Sequence, residues 1–167
     1  MTEMRPQINF TVEPWSLRKS VGPISAYPRA LDLRTIAQDE SIFALSNGHI
    51  GLRGGYDEGE PRAVPGSYLN GCFEERPYAH PEIGYGLPHA GQTVVNVTDG
   101  RIIRLIVGDS PLDLRYGQLI RNEQALDFRT GQLSRLTEWI SPNGRAVRVR
   151  SWRLVSFQRR SIAAIAI

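Results

Sequence analysis

The residues best suited to touching a ligand lie in one stretch, Glu74 to Gln92 (EERPYAHPEIGYGLPHAGQ). Tyr78, His80, Tyr85 and His89 offer rings that stack and side chains that donate or accept hydrogen bonds. A loop of this length without apolar period is usually functional or disordered, and its aromatic content argues against plain disorder. The competing reading, a loop that caps the fold or touches another subunit, is the more ordinary one. The carboxylates Glu40, Glu74, Glu75, Glu82 and Glu138 each read better as solvated or structural groups than as acids or bases. His49 beside a turn could be a ligand, but an exposed turn histidine explains it. Three widely spaced histidines and the single Cys72 argue against a zinc site and leave no intramolecular disulfide to form. Gly51, Gly54 and Gly55 look superficially like a phosphate-binding loop. That motif needs a strand, a turn and a helix, and a hairpin accounts for these glycines without one.

The elements that must position these residues are strands. The chain has 16 glycines and 11 prolines in 167 residues, with 41% hydrophobic content, which suits one domain of many short strands around a real core. Glu40–Pro61 (ESIFALSNGHIGLRGGYDEGEP) is the clearest stretch. Asn47-Gly48 predicts a two-residue type I′ hairpin turn, pairing Leu45 with Ile50 and Phe43 with Leu52 on one face. Gly51 leaves a gap for a neighbouring side chain or backbone. Gly54 and Gly55 then form a flexible corner, and Asp57, Glu58 and Glu60 follow in a solvated loop.

Residues 1–30, broken by four prolines, read as an extended arm with Ile8, Phe10, Val12 and Trp15 in one edge strand. Leu31–Asp39 is either a short strand or a single helical turn. Val64–Phe73 reads as a strand with Tyr68, Cys72 and Phe73 buried, and Asn70-Gly71, in a weaker context, as a bulge rather than a turn. Asp99-Gly100 predicts a hairpin pairing Val97 with Ile102 and Val95 with Arg104. Gly108–Pro111 is a turn, Leu119–Asn122 and Gln124–Arg129 are short strands, and Thr130-Gly131 turns the chain towards Leu133. Ser141–Gly144 joins the strand Leu133–Ile140 to Arg145–Phe157, which places Arg148, Arg150 and Trp152 on one face and Val147 and Val149 on the other. Arginine and tryptophan together on a face suggest single-stranded nucleic acid. A sheet face against a missing domain, or a solvated one, is the better reading. Ser161–Ile167 is a strand-like apolar run without a polar tail, from which we expect a piece of a longer protein.

The net charge of +3 is small and its arginines are interspersed with acids, so nucleic acid is not an expected partner. The N-terminus lacks the pattern of a secretory signal, and no apolar run approaches the ~20 residues of a membrane span. A cytoplasmic protein is expected.

Four segments carry a family resemblance. Ser41–Gly54 (SIFALSNGHIGLRG) resembles the "SLFALGNGYLGxRG" signature of glycoside hydrolase family 65, which includes maltose, trehalose and kojibiose phosphorylases. Gly66–Gly71 (GSYLNG) is similar to its "GTYLAG" strand, Leu126–Arg135 (LDFRTGQLSR) to its "LDMRxGxLxR" segment, and Arg153–Ser156 with Ile162–Ile165 to its "RFVS…AAI" strand pair. Gly55 departs from the Asn or Asp often found there, and the 74–92 loop varies in the family.

The resemblance implies an all-β fold, an antiparallel β-sandwich (super-sandwich) of short strands joined by hairpins. Residues 1–167 would be a single, truncated N-terminal domain preceding an (α/α)₆ barrel. It implies a parent enzyme that cleaves an α-linked glucose disaccharide with inversion, by phosphorolysis or hydrolysis. The acid and the phosphate pocket would lie in the barrel, so no catalytic residue is expected here. Tyr78, His80, Tyr85 and His89 remain as substrate-lining candidates. No cofactor or metal is expected beyond inorganic phosphate as co-substrate; the expected partners are the disaccharide, the protein's own barrel and further copies of itself. A free-standing carbohydrate-binding or dimerisation module is the alternative.

Overall fold

The computed structural model describes residues 8–21, 33–78 and 86–167. In chain order the elements are β1 (Ile8–Glu13), β2 (Ser16–Val21), α1 (Leu33–Ile42), β3 (Leu45–Ser46), β4 (Ile50–Leu52), β5 (Ser67–Leu69), β6 (Phe73–Pro77) and β7 (Ala90–Val94). β8 (Ile106–Val107), β9 (Ser110–Pro111), β10 (Gln118–Asp127), β11 (Gln132–Ile140), β12 (Ala146–Val155) and β13 (Ala163–Ala166) complete the chain. The large sheet has six strands in the order β1-β2-β10-β11-β12-β13, every pairing antiparallel. A three-stranded sheet, β3-β4-β5, lies against its inner face, giving the expected all-β sandwich.

Strict alternation builds the large sheet. Along β11 and β12 the inner positions Leu133, Arg135, Thr137, Trp139, Val149, Ser151, Arg153 and Val155 are buried. On the other face Arg148, Arg150 and Trp152 are exposed, as the period of two requires. Gly131 and Gly144, at φ +65° and +77°, turn the chain between β10 and β11 and between β11 and β12. One core cluster joins Phe43, Leu45 and Leu52 of the small layer to Leu126, Leu133 and Val155 of the large sheet. A second gathers Leu112, Leu114, Leu119, Trp139 and Val149.

Several expectations are corrected. The anchor turn is centred one residue later than predicted, on Gly48-His49: Asn47 N–H donates to Ile50 O (3.2 Å), and Leu45 faces Leu52 rather than Ile50. Only Gly48 takes positive φ (+79°), because the Asn47 side chain replaces backbone pairing. Its Oδ1 accepts the amides of His49 and Ile50 (2.9 and 2.8 Å). A shift of two in the partner keeps Leu45 and Leu52 on the buried face. Gly51 sits opposite Tyr68, which fills the predicted gap.

The segment 31–39 resolves as helix from Leu33 onward. The polar Glu40 lies on its buried side with Ile36, which hides the apolar period. The segments 119–122 and 124–127 belong to one strand, β10, with an irregularity between Leu119 and Arg121, while Phe128 and Arg129, expected in the second strand, fall in the turn after it. Val64–Phe73 breaks at Asn70-Gly71, a turn rather than a bulge, closed by Cys72 N–H to Leu69 O; Phe73 is exposed instead of buried. Asp99-Gly100 is not a hairpin turn. Val97 N–H instead donates to Ser67 O, and Ile103 and Leu105 donate to Asp57 O and Glu58 O (2.8 and 2.9 Å). Trp15 lies in the tight turn from β1 to β2 rather than in the edge strand. The remaining parts of the expected 1–30 arm, at 1–7 and 22–30, lie outside the described residues.

Candidate functional site

The loop after the anchor hairpin, Arg53–Arg62 (RGGYDEGEPR), reads as solvated but is the most enclosed polar segment of the described chain. Glu58 is 0% and Asp57 2% exposed, and Gly54, Gly55 and Gly59 are buried beside them. The corner is closely packed: a Cβ on Gly54 would stand 2.6 Å from Phe43 Cβ and Phe43 O. The loop lies over the inner face of β10–β12, and only part of its backbone pairs with neighbouring segments, at Asp57, Glu58 and Glu60. Buried carbonyls must still find donors, and here guanidiniums and amides supply them. Arg53 O accepts from Arg101 Nη1 and Arg153 Nη1 (2.7 and 2.6 Å), and Gly54 O from Gln124 Nε2 and Arg135 Nη2 (3.1 and 3.3 Å). Gly55 O accepts from Arg135 Nη2 and Arg153 Nη2 (3.1 and 2.7 Å), and Tyr56 O from Arg62 Nε (2.8 Å).

Carboxylates of the loop and its neighbours neutralise these cations. Arg153 holds both oxygens of Asp57, its Nε 3.0 Å from Oδ2. Arg135 donates to both oxygens of Glu58 (3.3 and 3.2 Å), and its guanidinium lies 4.3 Å from the centroid of the Tyr56 ring. Arg101 is bidentate on Asp99, which also takes the Ser67 hydroxyl (2.8 Å). Glu40, on the helix, accepts the amides of Ala63 and Val64 (3.0 and 3.1 Å) and faces Arg53 at 3.6 Å.

These surroundings move several proton equilibria. Burial pushes the Tyr56 phenol up to about 12, against the opposing pull of Arg135. The hydrogen bonds from Arg101 hold the Asp99 carboxyl far below the usual carboxylate range, outweighing partial burial. Burial would lower Arg135, but Glu58, Tyr56 and Asp57 together raise it; for Arg153 burial prevails over Asp57 and lowers it. Each of the carboxylates Glu40, Asp57, Glu58 and Asp99 already answers a guanidinium or a backbone amide. Among the described residues no three of His, Cys, Asp or Glu gather as metal ligands.

The predicted ligand-facing residues lie elsewhere. β6 and β7 form a two-stranded ribbon, Phe73 opposite Val94 and Pro77 opposite Ala90, extended by Tyr78 N–H to His89 O (2.9 Å). The long loop is thus a hairpin for much of its length. It brings Tyr78 and His89 side by side at the end of the ribbon, both exposed. His80 and Tyr85 lie outside the described residues, as does Glu82. His49 sits half-buried in the anchor turn. Glu74 and Glu75 are exposed on the ribbon, and Glu138 pairs with Arg148 (2.7 Å). Sequence reasoning missed the network, although alternation places Arg135 and Arg153 on the inner face, a position that calls for buried acids.

The family model described as glycosyl hydrolase family 65, N-terminal domain, matches residues 28–167. An uncharacterized glycosyl hydrolase of Mycobacterium tuberculosis (strain H37Rv) is 56% identical over 156 residues, covering 93% of this chain and 19% of the relative. The alpha,alpha-trehalose phosphorylase of Thermoanaerobacter brockii is 35% identical over 160 residues, covering 93% of this chain and 20% of the relative. A solved structure of a candidate kojibiose phosphorylase from the human microbiome superposes with TM-score 0.72 at 24% identity, covering 95% of this chain and 20% of that one; it supports the fold alone. The chain spans about a fifth of the length of the curated relatives it matches.

Proposed function

Because the chain belongs to glycosyl hydrolase family 65, as its N-terminal domain, we propose that it is the non-catalytic β-sandwich of a longer cytoplasmic enzyme that cleaves an α-linked glucose disaccharide. The observation that carries this reading is the similarity over 93% of the chain to a trehalose phosphorylase five times its length. Residues 1–167 then form one domain, and a barrel beyond them holds the general acid and the phosphate pocket. The parent enzyme works with inversion. The acid protonates the glycosidic oxygen as the bond to the anomeric carbon breaks, and a phosphate oxygen attacks that carbon from the opposite face. An α-glucoside then yields β-glucose 1-phosphate. The buried ion-pair network agrees with a structural role for this domain, since its acids are already engaged. Homo-oligomerisation and a substrate-lining role for Tyr78, His80, Tyr85 and His89 belong to the same reading.

Hydrolysis is the second reading. It is favoured by the 56% identical relative, whose name is glycosyl hydrolase. The test is to incubate the full-length protein with maltose, trehalose and kojibiose, with and without inorganic phosphate. Phosphate-dependent release of β-glucose 1-phosphate is expected, and phosphate-independent release of glucose would select hydrolysis. Turnover by the purified 167-residue chain alone would overturn the assignment of catalysis to the rest of the protein.

A further inference from the structure

An asparagine followed by glycine is prone to lose ammonia, because a glycine amide has no side chain to hinder its attack on the asparagine carboxamide. Three such pairs stand in this chain, Asn47-Gly48, Asn70-Gly71 and Asn143-Gly144, and each glycine has positive φ. Their dipeptides are identical; their surroundings are not. The reaction needs two free groups, the glycine N–H that becomes the nucleophile and the carboxamide that it attacks. At Asn47 both are held. Gly48 N–H donates to Ser46 Oγ (3.2 Å), Asn47 Oδ1 accepts the amides of His49 and Ile50, and Nδ2 donates to Ser156 O and Arg160 O (2.6 and 2.9 Å). At Asn143 the Gly144 N–H donates to Ser141 O (2.9 Å) and the carboxamide to Ser110 Oγ (3.1 Å). Asn70 and Gly71, by contrast, are both exposed, and a Cβ on Gly71 would meet nothing within 4 Å. Neither the Gly71 N–H nor the Asn70 carboxamide has a hydrogen-bond partner among the described residues. The backbone that presents them is nonetheless fixed, by Asn70 N–H to His49 O and Cys72 N–H to Leu69 O (2.8 and 3.2 Å).

We propose that Asn70-Gly71 is this chain's site of spontaneous deamidation, that hydrogen bonds hold the reaction back at Asn47 and Asn143, and that the product loosens the corner between β5 and β6. Gly71 N attacks Asn70 Cγ, the bond from that carbon to the side-chain nitrogen breaks, and ammonia leaves with the proton that Gly71 N gave up. A succinimide ring remains. Water then adds to either ring carbonyl and breaks its bond to the Gly71 nitrogen, which regains a proton. Opening at one carbonyl leaves aspartate at position 70; opening at the other leaves isoaspartate, whose main chain runs through the former side chain. Either product places a carboxylate where a neutral amide stood. Isoaspartate also lengthens the main chain inside the turn that Cys72 N–H and Leu69 O close.

The test ages the full-length protein in mildly alkaline buffer, folded and, in parallel, unfolded in urea, and follows the three peptides by mass spectrometry. In urea the three sites should react at similar rates, since each is then the same dipeptide in an open chain. In the folded protein Asn70 should keep close to its unfolded rate, Asn143 should be about tenfold slower and Asn47 at least about a hundredfold slower, because those two wait for openings that break their hydrogen bonds. Asn70→Ser should remove the first acidic species to appear on isoelectric focusing. Hydrogen exchange of the Cys72 amide, whose bond spans the altered residue, should be faster in the aged protein than in the fresh one. Folded protein in which the three sites react alike, or in which Asn47 or Asn143 reacts before Asn70, would overturn the proposal. So would an Asn70 that reacts in urea but not when folded, because the pair would then be covered or held away from ring closure in the whole protein. Unchanged exchange at Cys72 after deamidation at Asn70 would sink the loosening of the corner.

Discussion

Replacing Arg153 with methionine tests whether the buried network holds the sandwich together. Arg153 is 1% exposed; it donates to both Asp57 oxygens and to the carbonyls of Arg53 and Gly55. Methionine fills much of the volume but leaves the Asp57 carboxylate buried without its cation, a loss of about 3–5 kcal/mol. For a chain of this size that is a fall in melting temperature of about 10 °C. The carbonyls are less affected, because Arg53 O keeps Arg101 Nη1 and Gly55 O keeps Arg135 Nη2. Removing the acid as well, in Arg153→Met/Asp57→Leu, should therefore restore most of the loss, with a coupling energy of at least ~2 kcal/mol. Urea unfolding of the four proteins, followed by tryptophan fluorescence and circular dichroism, measures the cycle. Arg148→Ala serves as the control. Its partner is Glu138, but the Arg148 side chain is 63% exposed, so its loss should stay within ~1 kcal/mol. A cost below ~1 kcal/mol for Arg153→Met, or a double variant no better than the sum of its parts, would refute the idea that this pair is desolvated and coupled.

Other tests address the loop, the turn and the titrating groups. Gly54→Ala drives a methyl into the Phe43 backbone and should cost at least ~2 kcal/mol in the same unfolding assay. Asn47→Asp keeps the acceptor for the His49 and Ile50 amides but points its other oxygen at Ser156 O and Arg160 O, which now accept from Asn47 Nδ2. At neutral pH that should cost ~1–3 kcal/mol, recovered in part as the new carboxyl is protonated in acid. Asp99 has a folded-state pKa depressed below its unfolded value of about 3.9, so its stabilisation is complete above that pH and is lost as pH falls through the folded value. The stability gap between Asp99→Asn and the parent chain should thus be constant near neutrality and close in strong acid. Tyr56 is shifted the other way, to about 12, so its contribution is complete below pH ~10 and fades as pH rises towards 12. In a spectrophotometric titration of the six tyrosines one should ionise late, and Tyr56→Phe should remove that phase.

What the sequence by itself determined was local. The turns at Gly131 and Gly144 are set by residues adjacent in the chain, and the alternation from Leu133 to Val155 needs only a period of two. The same alternation put Arg148, Arg150 and Trp152 outside without reference to anything distant. Tertiary structure decided what to do with polar groups. RGGYDEGEPR has the composition of a solvated loop, and it is buried only because Arg135 and Arg153, roughly eighty to a hundred residues away, supply its carbonyls and carboxylates with donors. Asp99-Gly100 has the grammar of a hairpin, yet the amides of Ile103 and Leu105 after it donate to the carbonyls of Asp57 and Glu58 instead of the chain folding back on Val95 and Val97. Glu40 hid a helix by occupying a buried position with a charge that two backbone amides satisfy. In each case hydrophobicity read along the chain assigns a buried polar residue to water. Burial becomes affordable only when a partner distant in sequence arrives to replace that water, and that meeting exists only in three dimensions.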